Sequence, residues 1–441
     1  MAEIAISGFS GMNSLIPAFF SGKNTVSPRI VLNADVDGAG KLSMRDGYTL
    51  YLSMAGSHSL WACETCMLCA AAGKLYSIGT GVAVELDDID GTGPLDYTLC
   101  ESKVYVSNAY WSAVVDPSDN SVSDWGISLP PGPMITVGTG NLPAGLYHVC
   151  FTNVSDGEIS GNGPISSIEL TSEGGITVLN RPTGALVWAT DKYGHVFSLV
   201  GEVATIVDIP LIEPLPSFMC VPPPNMTGVT YAFGRMWGAA GPELYYSEPY
   251  RPGWFKLNSN RFKFESDIKI IAMVPTGLFI GLKDRTVFLA GTEPEQMKQT
   301  NAGASSVNGT LAYCNNLPEL GDVLGTPEKG YVDVPVWRTT EGIVAGNASG
   351  RLFNLTKNKL TMGVPERGAS LYRQKDGEFQ FLTSASQGIA GSGEGTIDAV
   401  LKAALLAGKL PMTNKMKDIP TTSGIMQEDV SCEVRRGGVL I

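Results

Sequence analysis

The sequence is poor in charge. Asp, Glu, Lys and Arg make up 17% of its 441 residues, and only three are histidine: His58, His148 and His195. With 44% apolar residues the chain can build a core, which excludes the composition of a disordered protein. Basic residues are scarce enough to leave a formal net charge of −12. Direct neutralisation of nucleic-acid phosphates needs clustered Lys and Arg, so that mode of binding is argued against. An acidic wall can still line a channel through which DNA slides without sticking. No window approaches the run of about 18 apolar residues that spans a bilayer. The opening Met1-Ala2-Glu3-Ile4-Ala5-Ile6-Ser7 lacks the basic region and apolar stretch of a secretory leader, so folding in a reducing cytoplasm is expected. The eight cysteines are then expected as thiols, and Asn153-Val154-Ser155 and Asn225-Met226-Thr227 as unglycosylated. Gly-x-Ser-x-Gly, P-loop and His-Glu-x-x-His patterns are missing, which removes the commonest signatures of nucleophilic, phosphoryl-transfer and zinc chemistry.

Glycine (52 residues) and proline (27) are plentiful and punctuate short apolar runs, the texture of an all-β chain. One phrase recurs: strand, tight turn, strand. It reads Met67 to Ile78 around Gly73, then Val104-Tyr105-Val106, then Tyr231 to Trp237 around Phe233-Gly234 leading into Glu243-Leu244-Tyr245-Tyr246. Further copies are Gly277 to Leu282 before Thr286 to Leu289, Ile343 to Gly346 before Arg351 to Leu355, and Ser370 to Arg373 before Glu378 to Leu382. A hairpin cannot bury its apolar face alone, so the copies must pack on one another. The expected fold class is therefore an all-β β-propeller of about six blades, the first over about 48–80 and the second over about 95–116.

The texture changes at the stiff junction Pro130-Pro131-Gly132-Pro133. Beyond it Ala144 to Asn153 alternates with period two, followed by Ile165 to Leu170, Gly175 to Leu179, Ala185 to Thr190 and His195 to Val200. Six or seven short strands in so little chain predict an inserted sandwich. Gly145-Leu146-Tyr147-His148-Val149 followed by Gly157-Glu158-Ile159-Ser160-Gly161-Asn162-Gly163-Pro164 resembles a fibronectin type III module. The expected organisation is 1–129 as N-terminal segment and first blades, 130–210 as insertion, 211–395 as remaining blades, and 396–441 as a C-terminal helix and tail. The helix rests on Thr396 as cap and on Ile397, Val400, Leu401, Ala404 and Leu405 at helical spacing, with Gly408 as stop.

Two runs have the residue types of metal sites. Cys63, Cys66 and Cys69 are spaced like thiolate ligands, but three thiolates leave a tetrahedral site one short, and strand alternation would put Cys66 opposite the other two. Asp35 and Asp37, with Asp46 at the twelfth position, partly match a calcium loop; Ala39 stands where an oxygen ligand is needed, so a glycine-rich turn is the better reading. Asp87-Asp88-Ile89-Asp90-Gly91 is a weaker match of the same kind. No cofactor is expected. Acids such as Asp116, Asp267 and Asp376 stand singly in turns, so a catalytic role is not expected either, although a carboxylate-based glycoside hydrolase needs no histidine. The densest aromatic stretch, Glu243 to Phe255, contains Tyr245, Tyr246, Tyr250, Arg251 and Trp254. These flat side chains beside a guanidinium are the candidate binding residues for a glycan or protein.

Gly8-Phe9-Ser10-Gly11-Met12-Asn13, with Asn33-Ala34-Asp35-Val36-Asp37 and Lys41 to Tyr48, resembles the start of propeller-type virion proteins of tailed bacteriophages. Arg235-Met236-Trp237-Gly238-Ala239-Ala240 through Leu244-Tyr245-Tyr246-Ser247-Glu248-Pro249 is similar to their blade phrase, in which Tyr-Ser-Glu-Pro closes a strand. The resemblance implies a tail nozzle, hub or tail-tip protein residing in the virion after synthesis in the host cytoplasm. It implies a ring homo-oligomer with other tail or connector proteins as partners, transient sequence-independent passage of DNA, no membrane insertion and no catalytic residues. The tail Val430 to Gly438 has no counterpart in that family and could be a strand exchanged with a neighbour. A carbohydrate-binding or host-surface recognition propeller is the alternative.

Overall fold

The computed structural model describes Asn13, Ser27 and residues 34–36, 42–44, 50–91, 93–210, 213–314, 333–357, 359, 365–375, 378–386 and 428–434. The expected helix at 396–408 lies outside them, as do Asp37, Asp46 and Asp376. The chain forms two compact units, Leu50–Ile268, and Met1–Thr49 together with Lys269–Ile441. The fold is all-β, of the blade-built propeller class. Consecutive strands turn back on one another to make antiparallel sheets of four, and the one helical turn among the described residues is Pro294–Gln296.

In the first unit the first blade sheet runs His58–Ala62, Met67–Ala71, Lys74–Ile78, Ala83–Asp88. Its central turn needs two left-handed residues, and Ala72 (φ 51°) and Gly73 (φ 77°) supply them, the geometry that matches strand twist in a two-residue hairpin. The second blade sheet is Asp96–Cys100, Lys103–Ser107, Ser112–Asp116, Ser121–Asp124. Leu68, Ala70 and Leu75 of the first sheet and Val104, Val106 and Val115 of the second fill one apolar cluster. The third blade sheet, Thr227–Ala232, Arg235–Ala240, Glu243–Glu248 and Arg251–Phe255, is extended by Arg261–Lys263 on the Glu243–Glu248 strand. It shares a second cluster with the second sheet, in which Tyr105, Val114 and Trp125 meet Met226, Met236 and Phe255. Hydrogen bonds fix that joint: Asp96 Oδ2 accepts from Gly228 N at 2.7 Å, and Ser107 Oγ donates to the Met226 carbonyl at 2.5 Å.

Between the second and third blade sheets the chain makes two further sheets. One has the order Ser166–Leu170, Gly145–Thr152, Leu186–Thr190, Phe197–Gly201; the other Ile135–Leu142, Gly174–Val178, Thr205–Ile206. Tyr147, Val149, Phe151 and Val187 from the first and Leu142, Ile176, Val178 and Ile206 from the second make one buried cluster.

The second unit repeats the blade pattern. Ile268–Val274, Gly277–Leu282, Arg285–Ala290 and Lys298–Ala304 form one sheet, and Ala312–Cys314, Val334–Thr339, Gly342–Gly346 and Leu352–Asn354 the next. Phe279, Phe288, Trp337 and Val344 are buried between them. A third sheet pairs Arg367–Lys375 with Glu378–Ser386, and Glu378–Ser386 with Glu428–Val434. The tail strand pairs antiparallel with Glu378–Ser386, Phe381 opposite Cys432. Outside the insertion the described residues hold five sheets of at least four strands and one of three, besides the short pair Ala34–Val36 with Leu42–Met44.

Candidate interaction surface at the third blade sheet

Two turns meet at one end of the third blade sheet. Phe233 and Gly234 reverse the chain with φ of 54° and 70°, and Tyr250, with φ of 55°, reverses it again after Glu243–Glu248. Tyr250 N donates to the Gly234 carbonyl at 2.6 Å, locking one turn on the other. A side chain at position 234 would run into the Tyr250 ring, so glycine is required both by its dihedrals and by this close approach. The ring of Tyr250 is 76% exposed on that platform.

Arg251 and Trp254 follow on the outer strand. The guanidinium lies 5.1 Å from the centre of the Trp254 ring and 3.3 Å from Glu158 Oε1, while Trp254 Nε1 donates to the Ile159 carbonyl at 3.0 Å. Glu158 and Ile159 belong to a short hairpin of the inserted segment, Val154–Ser155 with Glu158–Ile159. Trp125 Nε1, at the end of the second blade sheet, donates to the Pro252 carbonyl at 2.9 Å. The Glu248–Phe255 hairpin is therefore where two blade sheets and the insertion join. Its outer edge is closed as well. Val221 and Phe255 exchange backbone hydrogen bonds of 2.8 and 3.0 Å, so the proline-rich segment before the third sheet covers an edge that would otherwise be open to pairing.

The five candidate binding residues divide by position. Tyr246 is 6% exposed: its ring packs 5.0 Å from Trp237 and 5.9 Å from Phe262, with the Arg235 guanidinium 5.5 Å away. It supports the surface from beneath. Tyr245 is half-buried and its hydroxyl bonds the Glu243 carboxylate, whose other partner is Arg261 at 3.0 Å. That hydrogen bond, with burial second, raises the Tyr245 hydroxyl above the ordinary phenol range, and the same bond is the main cause that lowers Glu243. Trp254 is half-buried and committed to Ile159. Tyr250 and Arg251 remain as the accessible pair. Beside them Glu158 faces Arg251 and Glu248 faces Lys256 at 3.4 Å, and at the other end of the strand Glu243 faces Arg261. Each of these carboxylates meets a base rather than a second acid.

The cysteine run departs from the expected strand alternation. Cys63 and Cys66 lie in the turn between His58–Ala62 and Met67–Ala71, where Cys63 N donates to the Cys66 carbonyl at 2.9 Å and the two sulfurs stand 3.5 Å apart. Cys69 is buried in the following strand with its thiol toward the His58 carbonyl. Turn geometry, not pleat, governs the first two, so Cys63 pairs with Cys66 and not with Cys69. Asp35 sits in the strand Ala34–Val36. Of the other acidic run, Asp88 is bound by Lys74 at 3.2 Å, and Gly91 (φ 84°) lies beneath the Tyr110 ring. No group of three or more His, Cys, Asp or Glu side chains that could hold a metal occurs among the described residues. His148 bonds Ser167 Oγ at 2.7 Å across two strands of the insertion.

Sequence reasoning missed Val221, Trp125 and the strap Ser160 to Gly163. Ser217 Oγ donates to the Ser160 carbonyl at 2.6 Å, and a Cβ at Gly161 would collide with the Cys220 carbonyl. The signal was present in Gly161-Asn162-Gly163-Pro164 and in the prolines at 216–224, but as turn and spacer chemistry it carries no address for a partner.

No family model matches the sequence, and no curated protein matches it. Among solved structures the chain is similar to BBS1N in complex with ARL6DN, at 11% identity over 75% of this chain and 90% of that one, with a TM-score of 0.32. It is also similar to apo AztD from Citrobacter koseri, at 11% over 70% of this chain and 87% of that one, TM-score 0.26. PorZ, a bacterial surface component of the type-IX secretion system of Porphyromonas gingivalis, aligns at 13% over 76% of this chain and 42% of its own, TM-score 0.21. TM-scores this low carry no functional inference.

Proposed function

We propose that this chain is a structural subunit of a tailed-phage virion, a nozzle, hub or tail-tip protein that assembles with copies of itself into a ring and offers a platform to other tail or connector proteins. The blade phrase Arg235 to Pro249 resembles that family, and the observation that carries the reading is how the insertion is held. Trp254, Arg251, Ser217 and Gly161 fix residues 158–161 against the third blade sheet and the segment leading into it. An inserted segment fastened at several points is a rigid projection, which suits a mechanical part and would be an encumbrance to a lone binding domain. The same reading takes the two-sheet insertion as fibronectin type III-like, the role as non-catalytic, and the net charge of −12 as suited to DNA sliding past without adhesion. The test is mass photometry and negative-stain imaging of the purified protein, with mass spectrometry of phage particles. Closed rings and a stoichiometric virion band are expected; a monomer at micromolar concentration that is missing from particles contradicts the proposal.

One observation favours a second reading, recognition of a host-surface glycan. Tyr250 projects beside the stacked Arg251–Trp254 pair, a flat aromatic with a cation at its flank. Binding on a glycan array that disappears in Tyr250→Ala supports it, and an array without hits removes it.

A further inference from the structure

The Cys63–Cys66 turn brings two thiols together in an arrangement that the proposed assembly does not use. Both thiols lie at the end of the first blade sheet rather than in its core, with their sulfurs 3.5 Å apart. A disulfide needs about 2.0 Å, so the two sulfurs stand in van der Waals contact, about 1.5 Å beyond bonding distance. The two sulfurs are not equivalent. Thr65 Oγ1 lies 3.2 Å from Cys63 Sγ, and the backbone N–H groups of Thr65 and Cys66 are directed at the same sulfur. Partial burial pushes the Cys63 thiol up, but these donors together outweigh it and hold Cys63 below the ordinary thiol value. Cys66 packs toward the apolar cluster of the first two blade sheets, and burial, with the neighbouring Cys63 second, pushes its thiol up to about 11. A more acidic, accessible sulfur beside a less acidic, sheltered one is the division between an attacking and a resolving cysteine.

We propose that Cys63 and Cys66 form a redox-active dithiol that is oxidised to an intramolecular disulfide by small disulfides of the glutathione class. In the first step the Cys63 thiolate attacks one sulfur of the small disulfide, whose S–S bond breaks, and one small thiolate leaves. In the second, Cys66 gives its proton to the departing thiolate and attacks Cys63 Sγ, expelling the second small thiol. The protein loses two protons and two electrons, which one small disulfide takes up to become two small thiols. The bond closes across the hairpin turn that starts the first blade sheet, and excess reduced thiol reverses it.

The test equilibrates the full chain in buffers of oxidised and reduced glutathione, quenches with acid and maps cysteine peptides by mass spectrometry. The wild-type peptide carrying Cys63 and Cys66 is expected to lose two hydrogens without retaining glutathione. Cys66→Ser is expected to trap a glutathione adduct on Cys63, and Cys63→Ser to leave Cys66 unmodified. A stable adduct on Cys63 in the wild type, an unreacted pair, or zinc bound in stoichiometric amount at these thiols overturns the proposal. Should a variant fail to fold, alkylation of the native wild type serves instead. Cys63 is expected to react at least about tenfold faster than buried Cys150, whose thiol is pushed up to about 12, and equal rates overturn the assignment.

Discussion

The first and third blade sheets are written in the same strand-and-turn grammar and finished differently. In the first, the inner strand packs small residues, Ala70 and Ala71 beside Leu68, and the outer strand Ala83–Asp88 is tied to its neighbour by Lys74, which reaches Glu85 and Asp88. Leu60 and Val84 stay 67% and 48% exposed. In the third, Trp237, Tyr246 and Phe262 stack beneath the surface, and the outer strand is sealed by Val221 and pinned by Trp125 and Ile159. Blade grammar thus sets the fold, while the treatment of the edge decides whether a sheet merely takes part in the row or also carries another segment.

Four outcomes bear on that contrast. The largest is at the aromatic stack: Trp237→Ala is expected to lower stability by about 3–5 kcal/mol through the cavity it leaves, read as a fall in the urea midpoint. An unchanged midpoint would mean the third sheet has no more core than the first. Next is Gly161→Ala, where the added methyl meets the Cys220 carbonyl. Overpacking of this kind costs about 1–3 kcal/mol, and limited proteolysis should then cut at 157–164. Smaller is Trp254→Phe, which keeps the ring and removes the hydrogen bond to Ile159. About 1 kcal/mol is expected, with the loss reported by hydrogen exchange in the insertion and not in the first sheet. Smallest is Lys74→Met on the first sheet, an exposed ion-pair site where no shift in the urea midpoint is expected.

The joint between the second and third sheets adds a pH dependence. Burial raises the Asp96 carboxyl, and the one N–H it receives from Gly228 only partly offsets this. A raised folded-state value means the native protein holds this proton more tightly than the unfolded chain does. Stability from this group therefore grows as pH falls from the raised value toward the unfolded value near 3.8, and is lost on the way up. Asp96→Asn should abolish that slope while keeping an acceptor for Gly228. Urea midpoints measured across acidic pH check it, and equal slopes in both proteins would place the effect elsewhere.

Much of the fold was legible because inner strands are apolar runs ending in turns that demand a left-handed residue. Met67–Ala71 and Lys74–Ile78 around Gly73, and Thr227–Ala232 and Arg235–Ala240 around Gly234, were read from those two signals together. Outer strands gave neither. Ala83–Asp88 and Ser121–Asp124 are polar and exposed, and Ile135–Leu142 contains Gly138 and Gly140, which read as turn although they are there for close approach to Thr177 and Gly175. At the candidate surface the aromatic stretch was visible, but which side chains face solvent was not. Tyr246 and Trp254 are taken up by Trp237 and Ile159, partners 9 and 95 residues away in sequence that no local pattern connects. The cysteine turn was misread for a similar reason: period-two alternation was carried through residues where the chain reverses.

The Glu248–Phe255 hairpin fastens the insertion to the blade sheets. Hydrogen exchange resolved by segment tests it most directly. Amides of Val221 and Phe255 are expected to exchange as slowly as those of Arg235–Ala240, and Trp254→Phe with Arg251→Ala to speed exchange at residues 154–161 and 251–255 together. Fast exchange at Val221 and Phe255 in the wild type, or an insertion indifferent to the double substitution, would contradict it.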